Sequence, residues 1–508
     1  MSRLLYIALG LAVCCAVSSC KNDDPNPSTG GGILPPPEVE DSVYNPAMTP
    51  KFVYDIKPYS GRMADDLADD LVTDDKDLYH EHNDWEVQVT VTYTETSASV
   101  TGVVSPMSVK VDGAHVSLDI ADKYAKIVLT GASSAGSLRV DGIHRHMIQL
   151  ESLNLTSDRG PAINDQNKKR VFLHLEGDSR LIDSPVYAPA ANPEEDRKGC
   201  FFSEGHVIVS GSGSLSVKGR QRHGFATDGF LTIRPGATLV VTDAAKNAIH
   251  VKGGASAGYG VRMIGGYVYA NTSAPAGKAL KSDMRIMVYG GQLDLNCSGD
   301  PAMDLEDNTL SSAACMKADG DIDINAGKIT LTATGDGGKG INSDGSLTLR
   351  GGVTTIALSG EHLSGDTDTS TSKGVKTNGN INGLGGVMNI SAIGGGSIGV
   401  DCVGAAALNG SIIYSFGSSY GLRIAGALTL NDGTLLAGGE KNDVADVAGK
   451  MRFVGFDGIA VSHDTTTGVY SVEDGKLCGT FFWPFDISSA SLRFSSSDLS
   501  AEGDYEIR

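Results

Sequence analysis

Between residues 225 and 440 the chain alternates apolar and polar side chains in short runs, broken by glycines at a fixed offset. A polar residue leads and glycine follows eight positions later: Asp228 to Gly236, Asp283 to Gly291, Asp319 to Gly327, Asp344 to Gly352 and Asn378 to Gly386. Ala425 and Gly433 keep the same offset. Between these marks the third and fifth positions are apolar, as in Leu231 and Ile233, Ile286 and Val288, Ile322 and Ile324, or Leu347 and Leu349. After the glycine the alternation resumes in Leu293 and Leu295, Ile329 and Leu331, and Met388 and Ile390. A period of two belongs to a strand with one buried face. The glycine marks a bend where a Cβ is awkward.

Neighbouring marks lie roughly 25 to 36 residues apart, with the stretches near 250–260 and 400–403 out of register. The coil that holds Asp401 and Cys402 fits only with a slip of one residue. Two or three short strands per interval cannot bury their own apolar face, so each coil must stack on the next. The pattern predicts an all-β chain whose residues 105–440 form a parallel β-helix. Leucine-rich repeats lack their leucine pattern here, propeller blades are longer, and a sandwich does not hold glycine in a fixed register. Upstream, Val116 to Ile120, Ala125 to Leu129, Ser152 to Leu155 and Val171 to Leu175 alternate more loosely in the same way. From residue 441 the glycine register ends and Phe453, Phe456, Phe481, Phe482, Trp483 and Phe485 appear. An open solenoid end needs a cover, so 441–508 is predicted to be a small β cap with these aromatics mostly in its core.

The first hundred residues read differently. Arg3, the apolar run from Leu4 to Val17 and the small residues before Cys20 mark 1–19 as a signal peptide, too short to span a bilayer. Val17-Ser18-Ser19-Cys20 resembles a bacterial lipobox, whose cysteine takes lipid; the alternative is a secreted protein with a chance cysteine. Lys21-Asn22-Asp23-Asp24 resembles the export signal of Bacteroidetes-type surface lipoproteins, which implies an outer-membrane lipoprotein exposed on the cell surface. Residues 20–50, with Gly30-Gly31-Gly32 and Pro35-Pro36-Pro37, suit a tether. Residues 51–104 form an acidic segment and the first strands, and the acidic stretch 61–84 reads as a solvated loop or, alternatively, a cation site.

Charge then narrows the partners. With 61 Asp and Glu against 41 Lys and Arg the net charge is -20, which repels nucleic acid and anionic membrane over about 8 Å at physiological salt. Membrane contact is expected through the lipid alone, and the solenoid is expected as a monomer. Of eight cysteines, Cys14 and Cys15 leave with the signal and Cys20 carries lipid. Cys200, Cys297, Cys315, Cys402 and Cys478 show no metal spacing and read as small buried residues. A Cys297–Cys315 disulfide is left open.

Stacked coils repeat at ~4.8 Å, so equivalent residues form outward columns. One column reads Asp228, Asp283, Asp319, Asp344 and Asn378, and carboxylates one coil apart repel by ~3 kcal/mol at an effective dielectric near 20. Two positions earlier stand Lys281, Lys317, Asn342, Lys376 and Arg423, with His250 in a comparable place. Two readings follow. One is a self-neutralising surface. The other is a stripe in which Asp283, Asp319, Asp321, Asp323 and Asp344 hold calcium, a cation that takes oxygen ligands, while the basic column meets an acidic sugar polymer. Asp319-Gly320-Asp321-Ile322-Asp323 is the densest cluster, with Asp300, Asp304, Glu306, Asp307 and Asp336 in nearby loops. Tyr267 and Tyr269 point away from the core in the alternation, and with Tyr259, Tyr289, Tyr414 and Tyr420 they offer an aromatic platform for a sugar ring, or ordinary surface tyrosines.

The segments Gly340-Ile341-Asn342-Ser343-Asp344-Gly345-Ser346-Leu347 and Met316-Lys317-Ala318-Asp319-Gly320-Asp321-Ile322-Asp323-Ile324 resemble the carbohydrate-binding β-helix family of bacterial surface proteins, relatives of right-handed β-helix polysaccharide lyases. Ile127-Val128-Leu129 through Gly160-Pro161-Ala162-Ile163 resembles that family's opening coils. The resemblance implies a right-handed helix, bound calcium and affinity for acidic or plant-type polysaccharide, and does not by itself imply catalysis. Three functions are carried forward. The first is non-catalytic, calcium-assisted polysaccharide binding with Lys281, Lys317, Lys376, Arg423, Tyr267 and Tyr269 as contacts. The second is a calcium-dependent, pectate-type lyase with Lys317 or Lys376 as base. The third is an adhesin or spacer.

Overall fold

Each sequence interval folds into three strands, and each strand pairs in parallel with its equivalent one coil away. The computed structural model describes residues 77–508 apart from 191, 305–308, 365–368 and 498. The signal, Cys20, the tether, the acidic stretch up to residue 76, Glu306 and Asp307 therefore lie outside the described residues. Sheet A contains His223–Thr227, Ile249–Val251, Lys278–Ser282, Ala314–Ala318, Lys339–Ser343, Lys373–Thr377 and Ile398–Cys402. Sheet B contains Leu231–Ile233, Val261–Met263, Ile286–Val288, Ile322–Ile324, Leu347–Leu349 and Ile381–Gly383. Sheet C contains Thr238–Ala244, Tyr267–Thr272, Gln292–Cys297, Lys328–Ala333, Val353–Leu358 and Val387–Ala392. The fold is a parallel β-helix.

Register follows the apolar alternation. Ile286, Ile322, Leu347 and Ile381 stack in one column, and Val288, Ile324 and Leu349 in the next but one. They belong to a continuous buried cluster that extends from Val89 to Ala437. Burying each such side chain contributes about 1.5–3 kcal/mol, and a slip of one residue would turn the whole set outward. The register is therefore strongly specified. At the turn from sheet A to sheet B a second buried column is largely polar, Ser203, Thr227, Ser282, Ser343, Thr377 and Cys402, interrupted by Val251 and Ala318. These side chains stitch neighbouring turns together. Thr227 Oγ1 donates to the Gly205 carbonyl at 2.5 Å and Ser343 Oγ to the Gly320 carbonyl at 2.9 Å. Cys402 Sγ lies 3.4 Å from the Gly379 carbonyl, replacing a hydroxyl in that column.

Two expectations change. The coil of Asp401 needs no slip, because Lys376 pairs with Asp401, Ile381 with Ala406 and Val387 with Ile412 at a constant offset. Ser411 stands where the neighbouring coils place glycine, and Gly410 takes the positive φ of 130° one residue early. The register break near 250–260 is a longer turn after Ile249–Val251, closed by a bridge between Gly254 and Tyr259.

The C-terminal end of the solenoid is covered. Phe453–Val461 and Ile487–Ser496 run antiparallel to each other, and Ile487–Ser496 pairs antiparallel with Thr434 to Gly439 at the last coil. Thr465–Ser471, Leu477–Trp483 and Tyr505–Ile507 form a second small sheet. Trp483 and Phe494 are fully buried and Phe481 nearly so, while Phe456, Phe482 and Phe485 are half-buried. All five cysteines within 77–508 are buried and free, with Cys297 and Cys315 sulfurs 3.6 Å apart. One feature has no periodic signature: residues 77–86 lie on the outer side of sheet B. Leu78 joins Met147, Phe172, Ile208, Phe230, Tyr259, Ile264 and Met287 in a second apolar cluster, with Tyr79 and Trp85 packed against it. Asp77 pairs with Arg145 and Arg170, and Glu81 grips Arg234 with two hydrogen bonds of 3.0 and 3.2 Å.

The glycine column has a measurable consequence. Gly291, Gly327, Gly352 and Gly386 all have positive φ, and a Cβ on Gly352 would lie 2.5 Å from the Gly327 carbonyl oxygen. Gly475 has a similar φ of 66° with nothing within 4 Å. Left-handed backbone costs a non-glycine residue about 1–3 kcal/mol. Gly352→Ala is expected to lower the unfolding free energy by that amount plus the backbone clash, and Gly475→Ala by the conformational part alone. Urea unfolding of both variants separates the two contributions.

Candidate functional site

Sheet A carries the stripe that the sequence pattern predicts. Its outward column runs Ala226, His250, Lys281, Lys317, Asn342, Lys376, Asp401 and Arg423, each opposite the next. Two residues on, the chain turns toward sheet B, and Asp283, Asp319 and Asp344 are held there by backbone N–H bonds of 3.0 Å to Val251, Ser282 and Ala318. Asp401 joins the stripe, between Lys376 and Arg423, once its coil is in register. Lys278, Lys339 and Lys373 lie outside the predicted stripe. They stand three residues before Lys281, Asn342 and Lys376, a spacing readable in the sequence.

The two columns interlock. Lys281 Nζ reaches Asp283 of its own coil and Asp319 of the next, both at 2.7 Å. Lys317 repeats the step, 3.2 Å from Asp319 and 2.5 Å from Asp344. Asn378 Nδ2 then donates to Asp344 at 3.3 Å. At the other end the Asn247 N–H donates to His223 Nδ1, His223 Nε2 lies 3.2 Å from His250 Nδ1, and His250 Nε2 lies 3.2 Å from Asp283. Burial works against ionised Asp283, but His250 and Lys281 hold its carboxyl down to about 2. Burial likewise works against charged Lys281, and the two aspartates more than offset it. Burial holds His223 down to about 3, so its ring is neutral at physiological pH.

Beyond this zipper the cations exceed the acids. Lys373 and Arg423 both close on Asp401, at 2.5 and 2.7 Å. Lys376 has no ion pair among the described residues, and burial, with help from Lys373, lowers its pKa. Lys339 is 5% exposed and bonded to Ser312 Oγ, the Gly337 and Thr371 carbonyls and Ser370 Oγ; burial holds it down to about 7. Lys278 is held down to about 8 by burial. Within the zipper the ammonium groups are less exposed than the carboxylates: Lys317 shows 11% of its side chain against 41% for Asp344.

The remaining expected site residues are scattered. Asp321 Oδ1 accepts the Ser346 N–H at 2.7 Å in a turn. Asp323 is on sheet B, buried, and clamped by Arg285 at 2.5 Å and Arg350 at 3.0 Å. The five acids expected to bind calcium thus occupy three environments, and four of them already pair with Lys or Arg. A calcium ion would have to displace those partners, so these residues do not fit it. Among the described residues, Asp196, Glu204 and Asp228 are the acidic group whose oxygens approach within 4.8 Å, and Lys198 already pairs with two of them. Tyr267 and Tyr269 do face outward, but from sheet C, so they do not share a face with the lysines. Tyr259 is buried in the second apolar cluster and Tyr289 packs against it, which removes both from any platform.

A family model described as carbohydrate-binding domain-containing protein matches residues 112–365 and 273–421, which together span more than half of the chain. The chain belongs to this family. The match spans sheets A, B and C, so the carbohydrate-binding domain is the β-helix itself. No curated protein matches the chain. A solved structure, the polysaccharide lyase-like protein from C. thermocellum as a gadolinium derivative, is similar over 63% of this chain and 96% of its own, at 15% identity and a TM-score of 0.34.

The zipper of this carbohydrate-binding domain is testable by charge removal. Each half-exposed pair contributes about 0.2–1 kcal/mol, so Lys281→Met is expected to lower stability by roughly 1 kcal/mol at pH 7. Asp283 has a lower pKa folded than unfolded, so its contribution is complete above about 4 and is lost as pH falls toward about 2. Chemical unfolding of both proteins across that range should show the difference closing in acid. A difference that persists at pH 2 would mean the ion pair is not its source.

Proposed function

We propose that this chain is a surface-anchored, non-catalytic protein that binds an acidic polysaccharide along sheet A. The observation that carries the reading is the excess of cations on that sheet. Lys281, Lys317, Lys373, Lys376 and Arg423 stand with Asp283, Asp319, Asp344 and Asp401 in a chain whose net charge is -20, while Lys278 and Lys339 are bonded to backbone carbonyls and serines beside them. A polymer with a repeating carboxylate meets a repeating donor at each coil, and many weak contacts sum to retention without any catalytic group. Lys376, which lacks a counter-ion among the described residues, is the strongest single contact for a uronate. Contact is direct, ammonium to carboxylate, and needs no bridging calcium because the aspartates already have their counter-charge. The lipobox ending at Cys20 supports anchoring in the outer membrane, with the tether 20–50 holding the domain outside the cell.

A lyase is the second reading, and one observation favours it: burial lowers the Lys376 pKa, as a base working near neutral pH requires. Lys317, bound to two aspartates, is a poor base. Lyase action would release unsaturated ends that absorb in the ultraviolet. The binding reading predicts no such absorbance during prolonged incubation with polygalacturonate.

The purified protein is expected to be retarded on polygalacturonate gels in chelator as in calcium, and less on neutral polysaccharide. Lys376→Ala should weaken retention several-fold, and Lys281→Ala/Lys317→Ala/Lys376→Ala should abolish it. Retention that disappears with chelator, or survives the triple substitution, would refute the direct-contact reading. In cells, Cys20→Ala is expected to end palmitate incorporation and move the protein to the soluble fraction.

A further inference from the structure

The segment 77–86 does more than cover sheet B. Between it and the first coils lies a cleft of about 280 Å³ lined by His80, Glu81, Asn83, Trp85, Lys126, Met147, Gln149, His174 and Glu176. Pockets for drug-sized ligands occupy about 300–1,000 Å³, so this one is sized for a single sugar ring. Its walls are of two kinds. Trp85 is half-buried, set edge-on against Phe172 with ring centroids 5.9 Å apart, and with Met147 it supplies an apolar side. The rest is a mixture of donors and acceptors.

Several of those polar atoms make no hydrogen bond among the described residues. Gln149 is 4% exposed; its amide N–H donates to Glu151 at 2.6 Å, and its carbonyl oxygen accepts nothing among the described residues. His80 Nε2 is buried without a hydrogen bond, and its nearest protein partner is Glu81 Oε1 at 3.4 Å. Lys126 has no ion pair among the described residues, although it approaches both His80 and His174 closely enough to disfavour their charging. Burial holds His80 down to about 4 and also lowers His174, so each ring offers one donor and one acceptor at neutral pH. A buried polar atom without a hydrogen bond costs about 1–3 kcal/mol, which applies to His80 Nε2, and a ligand with convergent hydroxyls would also meet the Gln149 carbonyl oxygen and the Lys126 ammonium, which water otherwise reaches. Charge distinguishes the ligand class: Glu81 already has its counter-charge in Arg234, so Glu176 and Lys126 remain to face the cleft, one acid against one base. That even balance suits a neutral sugar better than a uronate, and the described metal-competent acids are elsewhere.

We infer that the cleft between residues 77–86 and sheet B is a second carbohydrate site, which binds one neutral hexopyranosyl residue with its apolar face against Trp85 and its hydroxyls on Gln149, His80 and Lys126. It does not rest on the sheet A stripe and differs from it in ligand charge.

Trp85 is a built-in reporter, since the sequence holds only one other tryptophan, Trp483, which is fully buried with its N–H on Thr467. Tryptophan emission of the full chain is titrated with the methyl glycosides of glucose, galactose and mannose, and with glucuronate. The expected result is a saturable change with at least one neutral glycoside and at least tenfold weaker binding of glucuronate. Gln149→Ala should weaken binding tenfold or more; if that variant does not fold, Lys126→Ala decides the matter with a several-fold loss. Lys281→Ala/Lys317→Ala/Lys376→Ala should leave the titration unchanged, which separates this site from the sheet A stripe. No saturable change with any neutral glycoside, equal or tighter binding of glucuronate, or unaltered affinity in the folded cleft variants would overturn the assignment.

Discussion

Parallel stacking places every side chain directly beside its equivalent one coil away, at ~4.8 Å. Everything else in this protein answers that constraint. For an apolar residue the repetition is favourable, and Ile286, Ile322, Leu347 and Ile381 form an unbroken core column. For a carboxylate it is unfavourable. The protein resolves the conflict by setting a lysine two residues before each of Asp283 and Asp319, on the same outward side. Each of these two ammonium groups bridges two coils, so the carboxylates from Asp283 to Asp344 are separated by opposite charge. The glycines answer the same constraint at the turns, where a side chain would strike the backbone of the preceding coil.

That repetition is also why so much was legible in the sequence. Period-two alternation reported which residues face inward, and the glycine offset reported where the coil turns. Neither signal reports which of the three sheets a strand joins. Tyr267 and Tyr269 were correctly turned outward, yet they belong to sheet C and the lysines to sheet A. Asp401 was obscured because Ser411 replaces the marker glycine while Gly410 mimics it one residue early. Residues 77–86 carried no signal at all: Leu78, Tyr79 and Trp85 follow no period, and their burial comes from distant coils. Asp323 looked like part of an acidic cluster because parity cannot reveal that Arg285 and Arg350 lie one coil to either side.

Function follows from the same geometry. A carbohydrate-binding domain built as stacked coils repeats its chemistry along one flank, which suits a polymer with a repeating group better than a small molecule. The Asp/Lys zipper gives that flank rigidity, and the surplus lysines beyond it supply the affinity we propose. The aspartates of the zipper are structural, with their counter-charges already in place, which is why direct recognition is favoured over a calcium bridge.

The most direct test is calorimetric titration of the protein with an oligogalacturonate in the presence of chelator at two salt concentrations. Direct lysine contact predicts measurable binding at low salt that weakens markedly as salt is raised, since ion pairs near a surface are screened over about 10 Å at 0.1 M. Binding that is absent in chelator, returns with calcium and ignores salt would contradict the account.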